Sequence, residues 1–298
     1  MIELNGKVAV VTGGGRGLGL AVSQALARAG AAVVVNDVDE AAIEQAVASI
    51  NGQGGRAVGL TAPIGSTLAA EQCVEHAVSQ FGRLDIMCAN AGILRDKVLW
   101  NMTDDDFDQV IHTHLRGTFT CARAAVRHFR QQGEGGRLIL LSSLAGQRGN
   151  FGQTNYAAAK AGIAAFARTW ALECARFDVT VNAVLPTAFT QMVASIPAMK
   201  PYVELVEQGK DLPPELRMGM GMGMPDDVAP LFVFLASQAA AHITGQCIGL
   251  GGDKLALWSH PREVRTAYCE GGWTAEKIAQ AWADSVGQRL EDYGVPPL

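Results

Sequence analysis

Tyr156, Lys160 and Ser143 are the residues whose types and spacing could move a proton. In Tyr-Ala-Ala-Ala-Lys, Tyr156 and Lys160 are four apart, so a helix sets both on one face. Ser143 stands 13 residues before Tyr156. A free tyrosine titrates at about 10, too high for efficient acid–base work at neutral pH. A neighbouring ammonium favours the phenolate and is expected to lower that value. Ser143 can hold a substrate oxygen by a hydrogen bond while Tyr156 gives or takes a hydroxyl proton. Alone, Tyr-x-x-x-Lys is common and structurally innocent. Its weight comes from Ser143 and from a second segment near the start of the chain.

That segment is Thr12–Gly19, TGGGRGLG. Its glycines, Gly13, Gly15, Gly17 and Gly19, let the backbone turn tightly and approach a pyrophosphate. With Arg16 and Leu18 they lead into a helix whose free N–H groups and positive dipole end face that anion. Asp37 follows 24 residues after Gly13. An acid there can accept both hydroxyls of an adenosine ribose. The plain alternative is an ordinary glycine turn beside a solvated aspartate. On cofactor choice, Asp37 would repel a 2′-phosphate and Arg16 could attract one. Asp37 is expected to win, because it would touch the hydroxyls directly while Arg16 can swing into water. NAD is therefore expected over NADP, with hydride exchange at C4 of the nicotinamide accompanying the Tyr156 proton.

These groups need a scaffold. Val8–Val11, Ala32–Val35, Ala57–Leu60, Asp85–Ala89, Arg137–Leu141, Val179–Leu185 and Gln246–Leu250 read as short strands apolar on both faces. Helical periodicity fills the intervals; Leu18, Ala21, Val22, Ala25 and Leu26 form one apolar stripe that Gly30 ends. Thr103 before Asp104–Asp106 reads as a helix cap. The alternation predicts an α/β doubly wound parallel sheet, a Rossmann fold of about seven strands with helices on both faces and a C-terminal extension. Ser143 then falls at the carboxyl end of the fifth strand, the edge where open α/β sheets bind ligands. The dehydrogenase domain is expected to span 1–252, with a substrate-loop insertion at 191–225. Its MGMGMGM run (218–224) predicts no single packed arrangement, hence a flexible surface loop or a mobile lid over an apolar substrate. The extension, 253–298, holds three of the five tryptophans and a helix from Thr274 to about Val286. It is expected to pack on the same domain or on a partner subunit.

At this point the chain resembles the short-chain dehydrogenase/reductase family over about residues 5–252. The motifs that carry the resemblance are TGGGRGLG (12–19), ANAG (89–92), Ser143 and YAAAK (156–160), in family order. The resemblance implies an NAD-dependent oxidoreductase interconverting a secondary alcohol and a ketone. It implies that Asn90, with Ala91 and Gly92, helps hold the adenosine-side backbone. Lys160, beside Tyr156, would also contact the nicotinamide ribose, and Pro186 and Thr190 would lie beside the nicotinamide. There are departures. The family usually has Asn before a Gly in the long helix, feeding a water relay to the Lys; here His114 stands there. The usual Asp-Val near adenine is Pro63-Ile64, which leaves Ile64 as an apolar contact. Pro-Thr replaces Pro-Gly at 186–187.

HLRGTF (114–119), GNFGQTNYAAAK (149–160) and LWNMTDDDFD (99–108) narrow the likeness. They resemble the (3R)-hydroxyacyl-CoA dehydrogenase unit of peroxisomal multifunctional enzymes and related actinobacterial enzymes. A 3-hydroxyacyl/3-oxoacyl-CoA thioester is the substrate this implies. A hydroxysteroid and a 3-oxoacyl-acyl-carrier-protein are the alternatives. From another class, a non-catalytic NAD-binding sensor would be expected to lose Tyr156 or Lys160, and both are kept. Family members are commonly homodimers or homotetramers.

Composition bounds the rest. The 298 residues are 49% hydrophobic and 18% charged, which argues against disorder. The 34 glycines and few aromatics suit close layers of helix on sheet. A net charge of −5 without a Lys/Arg block argues against nucleic acid. The six cysteines form no C-x-x-C pair, and the N-terminus shows no signal-peptide run, so a cytoplasmic, reducing location is expected. The uncharged stretch 229–252 is broken by Ser237, Gln238, His242 and Thr244, so no membrane span is expected. His112 and His114 diverge on a helix and have no third ligand at plausible spacing, so no metal is expected.

Overall fold

The β-branched runs become strands, and burial on both faces makes most of them interior ones. The computed structural model describes residues 2–194, 199–288 and 290. Its strands are β1 (Val8–Thr12), β2 (Ala32–Asp37), β3 (Arg56–Thr61), β4 (Ile86–Ala89), β5 (Gly136–Leu141), β6 (Val179–Pro186), β7 (Cys247–Gly251) and β8 (Lys254–Trp258). They form one sheet in the order β3-β2-β1-β4-β5-β6-β7-β8. The first seven stand where the sequence placed them and run parallel. The strand order reverses between β1 and β4, which opens a crevice at their carboxyl ends.

The helices are α1 (Gly17–Arg28), α2 (Glu40–Gly52), α3 (Thr67–Phe81), α4 (Asp104–Val110), α5 (Gly117–Gln132), α6 (Ala145–Arg148), α7 (Thr154–Cys174), α8 (Gln191–Ala194), α9 (Lys200–Glu207), α10 (Pro225–Ala236) and α11 (Ala275–Trp282). Apolar faces of α1, α2 and α10 bury one side of the sheet. Those of α3, α5 and α7 bury the other. Thr103 caps α4 in a reciprocal box with Asp106. Between α4 and α5 the helix widens into a π turn, Ile111–Arg116, a geometry found mostly at functional sites.

Two features differ from expectation. Strand β8 was not foreseen: the chain reverses at Gly252 (φ +52°) and pairs antiparallel with β7. Leu255 and Leu257 are exposed, so this edge strand lacks the two-sided burial that marks the others. Trp258 anchors it, with the Arg148 guanidinium 4.8 Å from its ring centre. By contacts the chain divides into one compact unit, Met1–Trp258, and a second, Ser259–Leu298. Within the second unit Thr274 caps α11, as expected, but the α-helix stops at Trp282. Part of the insertion (195–198) and the end of the tail (289 and 291–298) lie outside the described residues.

The methionine–glycine run also has a defined path. Met222 is buried with Phe189, Leu212 and Leu216, while Met218 and Met220 face solvent. Gly223 donates to Thr187 O (3.0 Å) and accepts from Phe189 N (2.7 Å). Arg217 joins Asp227 (3.0 Å) to Asp253 (2.8 Å). Neighbouring backbone and ion pairs therefore fix what alternating Met and Gly could not fix alone.

The glycines within this run should respond differently. A Cβ at Gly223 would collide with the Gly252 backbone and sit 2.5 Å from the Asp227 carboxylate, whereas Gly219 has nothing within 4 Å. Gly223→Ala should destabilise by about 1–3 kcal/mol. Gly219→Ala should stay within about 0.5 kcal/mol of wild type. Thermal unfolding of the two variants checks this.

Candidate active site

The carboxyl edge of the sheet gathers the candidate residues from separate stretches of chain. After β1 the glycine loop folds back tightly. Gly13 takes φ +61°, and a Cβ there would lie 2.9 Å from Ala91 Cα. Asn90 donates to Thr12 O (2.9 Å) and Gly13 O (3.1 Å). Thr12 Oγ1 accepts from the N–H groups of Asn90 (3.0 Å) and Ala91 (3.1 Å). The loop and the ANAG segment are thereby one structure. A Cβ on Gly19 would run into Gly13 O, so only glycine lets α1 start this close to the loop.

The loop fits a dinucleotide. Helix α1 begins with no side-chain cap and no acid in its first turn, so among the described residues its leading N–H groups are uncapped. Gly17 takes φ +53° with open space where a side chain would stand. Asp37, buried at the end of β2, accepts from Gly15 N (3.2 Å) and Val38 N (2.8 Å). Arg16 is 2.9 Å from Asp39 and 3.7 Å from Asp37, so two carboxylates already engage it. Leu18 is buried in the core below. Ile64 turns its side chain inward against Gly117 and into the core. Pro186 ends β6, and Thr190 O accepts from Ala194 N (2.8 Å) in the first turn of α8.

Across the crevice, Ser143 follows β5, its Oγ accepting from Ala145 N (3.2 Å), with its hydroxyl near enough to Tyr156 to favour the phenolate. Lys160, only 1% exposed, donates from Nζ to Leu141 O at 2.6 Å. Its Nζ is 5.4 Å from the Tyr156 ring centre. Ser142 Oγ donates to Lys160 O (2.7 Å), tying β5 to α7 at this level. His114, in the π turn, stands edge-on to Tyr156 with ring centres 5.2 Å apart. Its Nε2 lies 3.0 Å from Ile93 N and 2.8 Å from Ile93 O. Its Nδ1 is buried with no hydrogen-bond partner among the described residues.

Burial dominates the electrostatics. It lowers the Lys160 amine to about 7. It raises the Tyr156 phenol, and the nearby Ser143 hydroxyl offsets this only in part. Protein groups alone therefore do not produce the lowered tyrosine expected from the motif. Burial, then the nearby Lys160 charge, push His114 down to about 3, so the ring is neutral at ordinary pH.

The structure thus brings Ser143, Tyr156, Lys160 and His114 together, and unites the glycine loop with residues 90–92. Sequence reading missed Thr12, Ser142 and Asn155, which work through hydrogen bonds to remote backbone. His112 and His114 point apart: the first faces Gly65, the second Gly92. Among the described residues, no group of three or more His, Cys, Asp or Glu is placed to hold a metal ion. No helix among them is long and apolar enough to cross a membrane.

A doubly wound sheet with a dinucleotide loop and a Ser–Tyr–Lys edge defines a nicotinamide-dependent oxidoreductase. Comparison with known proteins agrees. A family model for short chain dehydrogenases matches residues 7–201. The hydroxyacyl-CoA dehydrogenase ChsB1 of Mycobacterium tuberculosis is 39% identical over 295 residues, covering 95% of this chain and 89% of that protein. The peroxisomal multifunctional enzyme type 2 of Mus musculus is 36% identical over 94% of this chain, which spans 37% of that enzyme. A crystal structure of a short chain dehydrogenase from Mycobacterium avium matches with TM-score 0.83 and 32% identity over 97% of each chain. The chain belongs to the short-chain dehydrogenase/reductase family, whose members bind NAD or NADP.

The neutral His114 links stability to pH. An unfolded histidine protonates near 6.5 and His114 only near 3, so stability is full above about 6.5 and is lost as pH falls toward 3. Between pH 7 and pH 5, His114→Asn should lose about 2 kcal/mol less unfolding free energy than wild type. Urea unfolding at the two pH values measures the difference.

Proposed function

We propose that the chain catalyses NAD-dependent interconversion of a 3-hydroxyacyl and a 3-oxoacyl thioester carried on CoA. The observation that carries the reading is the fully buried Lys160 amine 5.4 Å from the Tyr156 ring centre, with Ser143 on the facing segment after β5. Similarity to a hydroxyacyl-CoA dehydrogenase along 95% of the chain supports the substrate class.

In the proposed reaction Ser143 holds the substrate oxygen by a hydrogen bond. Tyr156 donates its proton to that oxygen during reduction and takes it back during oxidation. Lys160, when charged, favours the phenolate and so eases proton release. The bound nicotinamide cofactor supplies or accepts the hydride. The leading N–H groups of α1 would hold its diphosphate, Asn90, Ala91 and Gly92 would support the wall opposite, and Pro186 and Thr190 would lie at the nicotinamide end. His114 is a neutral positioning residue, not a proton donor, since its ring stays unprotonated.

Asp37, a carboxylate at the end of β2 that could accept ribose hydroxyls, supports a preference for NAD. Arg16, already engaged by Asp37 and Asp39, is drawn away from a 2′-phosphate. The six free thiols suit a reducing cytoplasm, and a homodimer or homotetramer is the proposed assembly.

Purified protein should oxidise NADH with acetoacetyl-CoA and longer 3-oxoacyl-CoA thioesters. Higher kcat/KM on a hydroxysteroid or an acyl-carrier mimic would transfer the reading to that substrate. Tyr156→Phe should lower kcat by about 10²–10⁴-fold while NADH affinity stays within about threefold. NADH should exceed NADPH in kcat/KM, and Asp37→Ser should narrow that ratio by about tenfold or more, since it removes both the acceptor and the repelling charge. A wild-type preference for NADPH would refute the cofactor assignment.

A further inference from the structure

We propose that Asn155 is a positioning residue for Tyr156, fastening the first turn of α7 to the loop after β4 and to α4 so that the phenol stays in register with Ser143. The inference rests on the reading of Tyr156 as the proton-transfer group. It concerns a residue outside the Ser–Tyr–Lys set.

Asn155 has a polar side chain, yet it is fully buried beside the crevice. A buried amide is stable only if its groups are paired. Asn155 pairs nearly all of them. Its Oδ1 accepts from Tyr156 N at 2.7 Å. Its Nδ2 donates to Asp106 O at 2.8 Å and to Arg95 O at 3.1 Å. Only one orientation of the amide works, because a flip would aim the NH₂ at an N–H and the oxygen at two carbonyls. The start of α7 has no side-chain cap from Gln153, so the Tyr156 N–H would otherwise lack a partner.

Further bonds hold the same seam. Lys97 N donates to Gly152 O (2.8 Å), and Gln153 Nε2 to Asp96 Oδ2 (2.7 Å). Lys97 Nζ reaches Asp106 Oδ2 at 2.7 Å, and Asp106 also closes the cap with Thr103. Ile93, at the start of the loop, meets His114. Loop 93–97, α4 and the first turn of α7 are therefore joined. Ser143 comes from a different segment, just after β5, so its alignment with Tyr156 requires two independently held backbones to agree. Among the described residues, Asn155 is the one side chain that bonds both the Tyr156 peptide and the loop opposite.

An error of about 1 Å in such a constellation lowers rate by about 100-fold. A filler role for Asn155 would affect folding alone. A positioning role also changes the ionisation of Tyr156, because the phenol moves relative to Ser143.

The test compares full-length wild type with Asn155→Asp, Asn155→Leu and Gln153→Leu, using NADH and acetoacetyl-CoA from about pH 5 to 10. Ionised Asn155→Asp keeps the acceptor for Tyr156 N–H but loses both donors. Both Asn155 variants should lower kcat by roughly 30-fold or more, leave KM for NADH within about threefold, and move the pH midpoint of kcat by at least about half a unit. Gln153→Leu, at the half-buried end of the seam, should move kcat and midpoint the same way by a smaller amount. It decides the matter if the Asn155 variants do not fold. Unchanged kcat, a fall in kcat with no midpoint shift, or an equal loss of NADH binding overturns the proposal. If wild type reduces no thioester but does reduce another ketone, the substrate reading fails. The same comparison on that ketone then decides the role of Asn155.

Discussion

An amine taken out of water governs the catalytic edge. Lys160 is buried on α7, with Leu141 O accepting its proton at 2.6 Å. Desolvation works against its charge and brings it to about 7, so near neutrality it is divided between ammonium and amine. The surrounding chain accommodates it closely. Ser142 bonds the Lys160 carbonyl, and a Cβ on Gly146 would come within 2.5 Å of the Lys160 backbone. The same burial raises Tyr156 and keeps His114 neutral. The site is thus set to respond to charge: a cation or hydroxyl donor arriving nearby changes ionisation more here than it would in water.

The opposite wall follows a similar logic with backbone instead of charge. The glycine loop, Thr12 and Asn90 satisfy one another, while the leading amides of α1 have no protein cap. Carboxylates at 37 and 39 gather around Arg16 rather than leaving it isolated. The helix start is open to an anion; opposition to a second anion at the ribose position belongs to the proposed NAD reading.

Much of this was legible from residue types because it depends on local pattern. Strands buried on both faces show as continuous apolar runs, and Tyr156 and Lys160 share a helix face through their spacing alone. What escaped depends on partners far away in sequence. Strand β8 has exposed leucines on an edge and gains its order from β7 and from Arg148 stacked on Trp258. The 218–224 run looked incapable of fixed packing, yet Arg217, Thr187 and Phe189 hold it. Asn155 sat inside a motif already singled out and was passed over, because its role lies in two carbonyls some 50 to 60 residues earlier. The widened turn at 111–116 gives no periodic signal that distinguishes it from the helices on either side.

The most direct test of the account is the ionisation of Tyr156 itself, read as tyrosinate absorbance in wild type minus Tyr156→Phe, with and without saturating NAD. The account predicts a midpoint above about 10 for the protein alone. With the positively charged cofactor bound, the midpoint should be lower by more than about one unit. A midpoint that NAD leaves unmoved would contradict it.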